Sequence, residues 1–227
     1  MMYLFDPRYL LVIAPALLLG FWAQMKVRST YAKASQMAAR LSGAAAARHI
    51  LDSAGLNNIA IEQVPGHLSD HYDPRHKVLR LSGDVYNGRT LAAVGIAAHE
   101  AGHAIQDARH YMPLMVRNAA VPAAGFGSSA GMILLFLGAM MNYQPLLLLG
   151  IILFACVVFF QIINLPVEFN ASTRAKAVLV DLGIVDTQDM HFVRKVLNAA
   201  ALTYVAATLQ AILTLLYYVL RYAGNRR

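Results

Sequence analysis

Five consecutive residues, His99-Glu100-Ala101-Gly102-His103, have the types and spacing of a metal-binding helix that also carries a proton acceptor. Two histidines four positions apart on an α-helix lie on one face, so both imidazoles can reach one metal ion. The glutamate beside them can take a proton from a water that the metal activates. With 8 His and 3 Glu in 227 residues, chance would produce this pattern in roughly four sequences per thousand. The pattern therefore favours a zinc site that activates water over a buried helix with ordinary core histidines.

The residues before this motif are suited to a helix. Residues 91–98 read LAAVGIAA, which are good helix formers apart from one glycine, and Thr90 is suited to be the N-cap. The side chains within and around the motif are small and uncharged, so we expect that a second helix can approach it closely.

A catalytic zinc ion needs a third protein ligand and one position open to water. The chain offers three glutamates, Glu62, Glu100 and Glu168. Glu168 lies 65 residues after His103, where an apolar segment ends and a new helix is predicted. No basic residue precedes Arg174 there, so a metal would provide the partner that this carboxylate needs. We predict Glu168 as the third ligand; the alternative is a first-turn glutamate stabilised by the helix dipole.

Other residues are candidates for roles near the metal. Asp181 is a second possible carboxylate ligand, although Gly183 after it is typical of an ordinary helix end. His191 could also bind the metal, but it is a better candidate for a donor that stabilises the transition-state oxyanion. Tyr204 is the other candidate donor, and for both residues a packed helix position is the default interpretation.

The composition indicates a membrane protein. The chain is 58% hydrophobic and 14% charged, whereas globular proteins are about 25% charged. Four apolar segments cover residues 9–23, 121–141, 146–167 and 199–220. The last three reach the roughly 20 residues that cross a bilayer. The first is shorter and is interpreted as an uncleaved membrane anchor.

Two of these segments have features of their own. Residues 142–145 alone join the second segment to the third, which predicts a tight transmembrane hairpin. The fourth segment contains several polar residues, so it either crosses the bilayer or packs on the zinc-binding domain. Its polar residues are Thr203, Tyr204, Thr208, Gln210 and Thr214.

The distribution of basic residues predicts the orientation. Residues 26–117 contain eleven Lys or Arg and residues 174–195 contain four, whereas the regions outside them contain Arg8, Arg221, Arg226 and Arg227. This asymmetry predicts that the regions with the candidate metal ligands face the cytoplasm and that both termini lie outside. The net charge of +7 is explained by this topology and by anionic headgroups, and no aromatic-basic pattern indicates nucleic-acid binding. Cys156 is the only cysteine, which excludes an intrachain disulfide and a cysteine metal site.

The polar region between the first two apolar segments predicts helices and short strands. Residues 29–51 are predicted as a helix broken near Ser42, and Gly55 is suited to end its second part. Residues 59–64 and 78–82 alternate in hydrophobicity and are predicted strands. An edge strand beside the site could hold an extended peptide by backbone hydrogen bonds.

The loop between these strands is rich in possible ligands. It contains His67, Asp70, His71, Asp73 and His76, which leaves open a second metal site. The simpler interpretation is a solvated loop in which Asp73 and the following proline begin a turn. A third interpretation places Asp70 or His71 at the edge of the cleft near the metal.

These observations predict a mainly α membrane protein that combines a zincin-like domain, a small β-hairpin or sheet, and about four apolar helices. The predicted regions are an anchor (1–25), the zincin-like domain (26–120), a transmembrane hairpin (121–167), the third-ligand helix with its connector (168–198), and a C-terminal apolar helix with a basic tail (199–227).

Three stretches of the chain resemble a known family. Residues 66–108, which include HEAGHAIQ, the sequence VEFNASTRA at 167–175, and the sequence VLNAAALTYVAA at 196–207 resemble the YugP-like neutral zinc metallopeptidases of bacterial membranes. The similarity covers nearly the whole chain, and the HEAGHAIQ core is its specific part. It implies a zinc-dependent endopeptidase of the bacterial inner membrane that cleaves membrane or membrane-adjacent proteins. The alternative is a zinc-stabilised scaffold without turnover, which would need a fourth protein ligand at the water position.

The chain is also similar, more distantly, to the HtpX-type membrane gluzincins. Those proteins carry E-x-x-x-D after a membrane hairpin, and the glutamate matches Glu168. The position four residues later is Ser172, not the aspartate that orients the first zinc histidine in that class. Ser172 or Asn170 is the predicted substitute.

Overall fold

The computed structural model describes residues 7–223, which form helices and one small sheet. In chain order the elements are α1 (Pro7–Ser35), α2 (Gly43–Ser53), β1 (Ala60–Val64), β2 (His71–Asp73), β3 (Val78–Ser82), α3 (Gly83–Tyr86), α4 (Leu91–Ala108), α5 (Met112–Phe126), a π-helical turn (Gly127–Gly131), α6 (Met132–Met140), α7 (Gln144–Asp181) and α8 (Met190–Ala223). The predicted mainly α class with a small sheet is confirmed.

Within residues 7–223, four helical stretches are long and apolar enough to cross a membrane. They are Pro7–Ser35, Met112–Met140, Gln144–Asp181 and Met190–Arg221. The second stretch runs from α5 through the π-helical turn into α6. The fourth apolar segment, which was ambiguous in the sequence because of its polar residues, meets the same criteria of length and composition as the others.

The described chain divides into two compact units. The membrane unit comprises residues 7–23, 115–166 and 202–223, and its buried cluster contains Leu135, Leu147, Phe154, Val158 and Ala211. The metal-site unit comprises residues 24–114 and 167–201 and contains a larger apolar core. Leu79 and Leu81 of β3, together with Ile50 and Leu51 of α2, are fully buried in that core.

The sheet has three strands in the order β1-β3-β2. β1 pairs with β3 in parallel, and β2 pairs with β3 antiparallel, with Tyr72 opposite Leu79. The two strands predicted from the sequence are therefore neighbours but do not form a hairpin. β2 corrects the prediction of an unbroken loop at 67–76. Three residues are too short to show an alternating pattern, and Tyr72 is buried by residues distant in the sequence, including Asp107 of α4, which accepts its hydroxyl at 2.7 Å.

The ends of the polar helices follow the predicted capping residues. The Ser42 hydroxyl accepts a hydrogen bond from the Ala45 N–H and caps α2, and Gly55 after that helix has φ +75°. The predicted break is longer than expected, because α1 already ends at Ser35. Residues 36–42 are instead held by backbone bonds to the segment before α4, including Ala39 N–H to Arg89 O at 2.9 Å.

Candidate metal centre

The helix α4 presents both motif histidines to the same point. The Thr90 hydroxyl accepts the Ala93 N–H and starts the helix, which confirms the predicted N-cap. The helix then runs without interruption, so residues four apart lie one above the other. The centroids of the His99 and His103 imidazole rings are 4.8 Å apart, and the ring planes are nearly perpendicular. His103 is buried, and His99 is partly exposed.

The helix α7 brings Glu168 to these two imidazoles. One carboxylate oxygen, Oε2, lies 3.2 Å from His99 Nε2 and 3.6 Å from His103 Nε2. The three ligand atoms are all within 4.8 Å of one another. Two ligand atoms bound about 2.1 Å from a tetrahedral zinc ion are roughly 3.4 Å apart. The donor set and the two distances from Glu168 to the histidines therefore fit a zinc ion.

A glycine within the motif permits the close approach of the two helices. A Cβ atom at Gly102 would lie 2.9 Å from the backbone oxygen of Ala171, a distance that real Cβ contacts do not show. Ala171 lies one turn after Glu168 on α7, so the contact is adjacent to the ligand carboxylate. The small residues of the motif thus allow α7 to lie against α4, as expected from the sequence.

The charges around the histidines favour a cation at this point. Burial alone lowers the pKa of His103, but its contact with Glu168 and the negative charges of Glu100 and Glu168 raise it, and the net result is a raised pKa. The two carboxylates near His103 therefore favour positive charge at this point.

Each motif histidine has a hydrogen-bond partner on its other ring nitrogen. The Ser172 hydroxyl is 3.1 Å from His99 Nδ1, so of the two substitutes proposed for the usual aspartate, Ser172 lies against this histidine. The Gln106 side-chain oxygen, Oε1, is 3.0 Å from His103 Nδ1. Asn170 instead contacts Gln106 and Arg174.

Gln106 was not identified in the sequence as a functional residue. It is fully buried, and its amide nitrogen donates to the Val167 carbonyl at 2.8 Å and to Asn170 Oδ1 at 3.0 Å. The available signal was its position three residues after His103, which places both side chains on one helix face. That spacing does not reveal the partners on α7.

Glu100 is next to the candidate ligand His99 in the helix and is not part of the group with ligand spacing. Its side chain is half-buried, and the group with ligand spacing consists of the two histidines and Glu168. Within residues 7–223 its carboxylate has no hydrogen bond or ion pair in the structure, which suits a group that must accept and release a proton.

The remaining candidates are not part of the group with ligand spacing. Asp181 is exposed at the end of α7, and Gly183 has φ +62°, as expected for a helix end. His191 is exposed, and its Nδ1 is 2.7 Å from the Gln188 carbonyl oxygen. Tyr204 belongs to the membrane unit. The donor roles of His191 and Tyr204 stay predictions.

The histidine-rich loop is held by contacts of its own. His67 pairs with Asp84 at 3.0 Å, His76 pairs with Asp73 at 2.7 Å, and Asp70 accepts from the Ser82 N–H at 2.8 Å. Among the described residues the loop contains no group of three or more ligands with metal-binding spacing. Asp73 Oδ1 also accepts the backbone N–H of Arg75, so the expected turn is present.

Comparison with known proteins agrees with this geometry. A family described as "Putative neutral zinc metallopeptidase" matches residues 9–223. A protein of Bacillus subtilis (strain 168), described as "Putative membrane protease YugP", is 44% identical over 220 residues, which are 96% of this chain and 98% of that protein. No solved structure matches the chain. The extent of both matches shows that the chain belongs to the neutral zinc metallopeptidase family.

Proposed function

We propose that the chain is a membrane-bound zinc endopeptidase of the gluzincin type. Its zinc ligands are His99, His103 and Glu168. The observation that supports this most strongly is the convergence of three ligand atoms from two segments 65 residues apart, with the carboxylate oxygen 3.2 and 3.6 Å from the two imidazole nitrogens. Three ligands leave one position for water, which distinguishes a catalytic zinc site from a structural one.

Bound to these ligands, zinc supplies Lewis-acid chemistry, which acidifies water and polarises the scissile carbonyl. The chain supplies the proton transfer. Glu100 takes a proton from the attacking water and delivers it to the departing amine nitrogen. Its half-buried position and its lack of a fixed partner among residues 7–223 support this role.

We further propose that the substrates are membrane proteins or protein segments close to the bilayer. Glu168 follows the apolar residues 146–167 on the same continuous helix, α7, so the ligand carboxylate comes directly after a predicted membrane span. A site next to a membrane span is within reach of peptide segments at the membrane surface, which supports this substrate class.

The proposed location is the bacterial inner membrane, with the metal site facing the cytoplasm. The basic residues of 26–117 and 174–195 support this orientation, and Arg226 and Arg227 of the opposing tail lie outside the described residues. Cysteine labelling tests it: in a Cys156→Ser background, Arg75→Cys is expected to react with a membrane-impermeant maleimide only after the cells are opened. Reaction in intact spheroplasts would reverse the orientation.

The experiment for the activity compares two Glu→Gln variants. The full chain is purified in detergent, freed of metal with a chelator, reloaded with zinc and assayed for peptide release from casein. Glu100→Gln is expected to keep its zinc and to lose about 100-fold or more in rate, because the proton acceptor is gone. Glu62→Gln is the matched control, since Glu62 lies on β1 and forms an exposed ion pair with Arg80 at 3.3 Å.

Two outcomes contradict the proposal. If Glu100→Gln holds zinc and cleaves as fast as the wild type, Glu100 is not the proton acceptor. If the zinc-loaded wild type releases no peptide from casein or from a panel of membrane-protein segments, the site holds a metal without hydrolysing peptides.

A further inference from the structure

We propose that a chain of hydrogen-bonded side chains, running from Arg174 through Asn170 to Gln106, fixes the proton of His103 on Nδ1 and so turns its Nε2 lone pair toward the metal. This inference rests on the proposed zinc site and assigns positioning roles to residues outside the ligand set.

The series of hydrogen bonds begins at Arg174, which sets the orientation of the Asn170 amide. Its Nε is 2.7 Å from Asn170 Oδ1. A guanidinium group only donates hydrogen bonds, so the Asn170 atom facing it has to be the amide oxygen and not the amide nitrogen. The contact therefore fixes which way the Asn170 amide points.

Two acceptors fix the orientation of the Gln106 side-chain amide. Gln106 Nε2 lies 3.0 Å from the same Asn170 oxygen and 2.8 Å from the Val167 carbonyl oxygen. Neither oxygen can donate, so the NH₂ group of Gln106 has to face them. The side-chain oxygen of Gln106 then necessarily faces His103. Two independent contacts give the same orientation, which is otherwise ambiguous for an amide.

The last contact selects the histidine tautomer. Gln106 Oε1 is 3.0 Å from His103 Nδ1 and can only accept, so Nδ1 carries the hydrogen. A neutral imidazole has one N–H, which leaves the lone pair on Nε2. Nε2 is the atom that lies 3.6 Å from the Glu168 carboxylate. In the neutral imidazole the single N–H thus points away from the proposed metal position.

Burial makes this arrangement difficult to replace. Gln106 is 0% exposed, so water cannot take over its three hydrogen bonds. The tautomer of His99 is not fixed in this way, because the Ser172 hydroxyl beside it can either donate or accept a hydrogen bond. Loss of Gln106 should therefore weaken zinc binding more than loss of the Ser172 hydroxyl.

The experiment measures zinc affinity by competition with a chromophoric chelator, using the full chain in detergent. Gln106→Met keeps the size and removes all three bonds, and we expect its zinc affinity to fall about 10- to 100-fold. Asn170→Asp keeps an oxygen that accepts from both Gln106 and Arg174, so its affinity should stay within about threefold of the wild type. Asn170→Leu removes that oxygen and should weaken zinc binding by about fivefold.

Controls separate positioning from general stability. Thr214→Val removes a buried hydroxyl of the membrane unit that contacts Tyr9 at 3.3 Å, and it should lower the melting temperature without changing zinc affinity. Gln106→Met that binds zinc as tightly as the wild type overturns the inference, as does Asn170→Asp that loses affinity as strongly as Asn170→Leu. If Gln106→Met does not fold, the two Asn170 variants decide.

The proposed zinc site can fail separately from this inference. A wild-type chain that binds no zinc, or a His103→Ala variant that binds it normally, overturns the site and the inference with it. If the wild-type chain binds one zinc ion through His103 and Gln106→Met has the same zinc affinity, only the inference about Gln106 is overturned.

Discussion

The metal-site unit and the membrane unit both use glycine to bring helices together, but they stabilise the resulting contacts differently. A Cβ atom would lie 2.9 Å from the Ala171 carbonyl oxygen at Gly102, and 2.7 Å from the Leu147 backbone nitrogen at Gly138. Around Gly102 the buried polar side chains bond to one another. In the membrane unit the buried Thr208 hydroxyl bonds backbone carbonyls, including that of Tyr204 on its own helix at 2.8 Å.

The two units also differ in how many large hydrophobic side chains they expose. All large hydrophobic side chains that the described residues expose belong to the membrane unit, apart from Met25, Leu68, Met112 and Phe169. The membrane unit therefore presents most of the exposed apolar surface, whereas in the metal-site unit side-chain hydrogen bonds hold the two candidate histidine ligands. Substitutions in the membrane unit should alter stability without changing zinc affinity. Substitutions in the metal-site unit should alter zinc affinity.

The largest effect is expected for Gly102→Ala. The added methyl group pushes α4 away from α7 at the turn next to Glu168, and we expect zinc affinity to fall about 10- to 100-fold, which corresponds to about 1.4–2.7 kcal/mol. Helix propensity alone would make this variant about 1 kcal/mol more stable, so the loss cannot come from the helix itself. Competition with a chromophoric chelator measures the loss of zinc affinity.

The control for that variant is Gly125→Ala, where an added Cβ meets nothing within 4 Å. This substitution should leave zinc affinity unchanged. Equal zinc affinity in Gly102→Ala and Gly125→Ala would mean that the close contact of α4 and α7 does not set the ligand geometry.

Gly138→Ala tests the membrane unit by the same kind of clash. Here we expect a loss of about 1–2 kcal/mol in stability, because backbone atoms of Leu147 have to move, with zinc affinity within about threefold of the wild type. Thermal unfolding in detergent, followed in parallel with chelator competition, provides both readouts. A Gly138→Ala chain that loses zinc as readily as Gly102→Ala would remove the distinction between the two units.

The smallest effect is expected for Ser172→Ala. Loss of one hydroxyl bonded to His99 Nδ1 should weaken zinc binding by about fivefold, since a neutral hydrogen bond contributes about 1 kcal/mol. Ser172→Thr keeps the hydroxyl and should bind zinc as the wild type does. A loss in Ser172→Thr equal to that in Ser172→Ala would show that packing at this position matters and the hydroxyl does not.

Local signals in the sequence predicted much of the fold. Thr90 and Ser42 were expected to cap or break helices from their types and neighbours, and both cap helices in the structure. The strand at 78–82 was predicted from its alternation and has those bounds. These features depend on residues within one or two turns, so the sequence contains the information directly.

Features that depend on distant partners could not be predicted in the same way. Gln106 looks like an ordinary polar helix residue until α7 brings Val167 and Asn170, 61 and 64 residues away, into contact with it. The choice between Ser172 and Asn170 as the partner of His99 depends on the rotation of α7. Ser172 is four residues after Glu168 and contacts His99, whereas Asn170 is two residues after Glu168 and contacts Gln106, which lies farther along α4. Strand β2 was missed because it is only three residues long.

The most direct test of the central claim is a crystal structure of the full chain with anomalous data collected on both sides of the zinc absorption edge. We expect one zinc peak per chain, bound by His99 Nε2, His103 Nε2 and a Glu168 oxygen, with one coordination position free of protein atoms. Absence of that peak, or a Glu168 side chain turned away while another protein group completes the coordination, would contradict it.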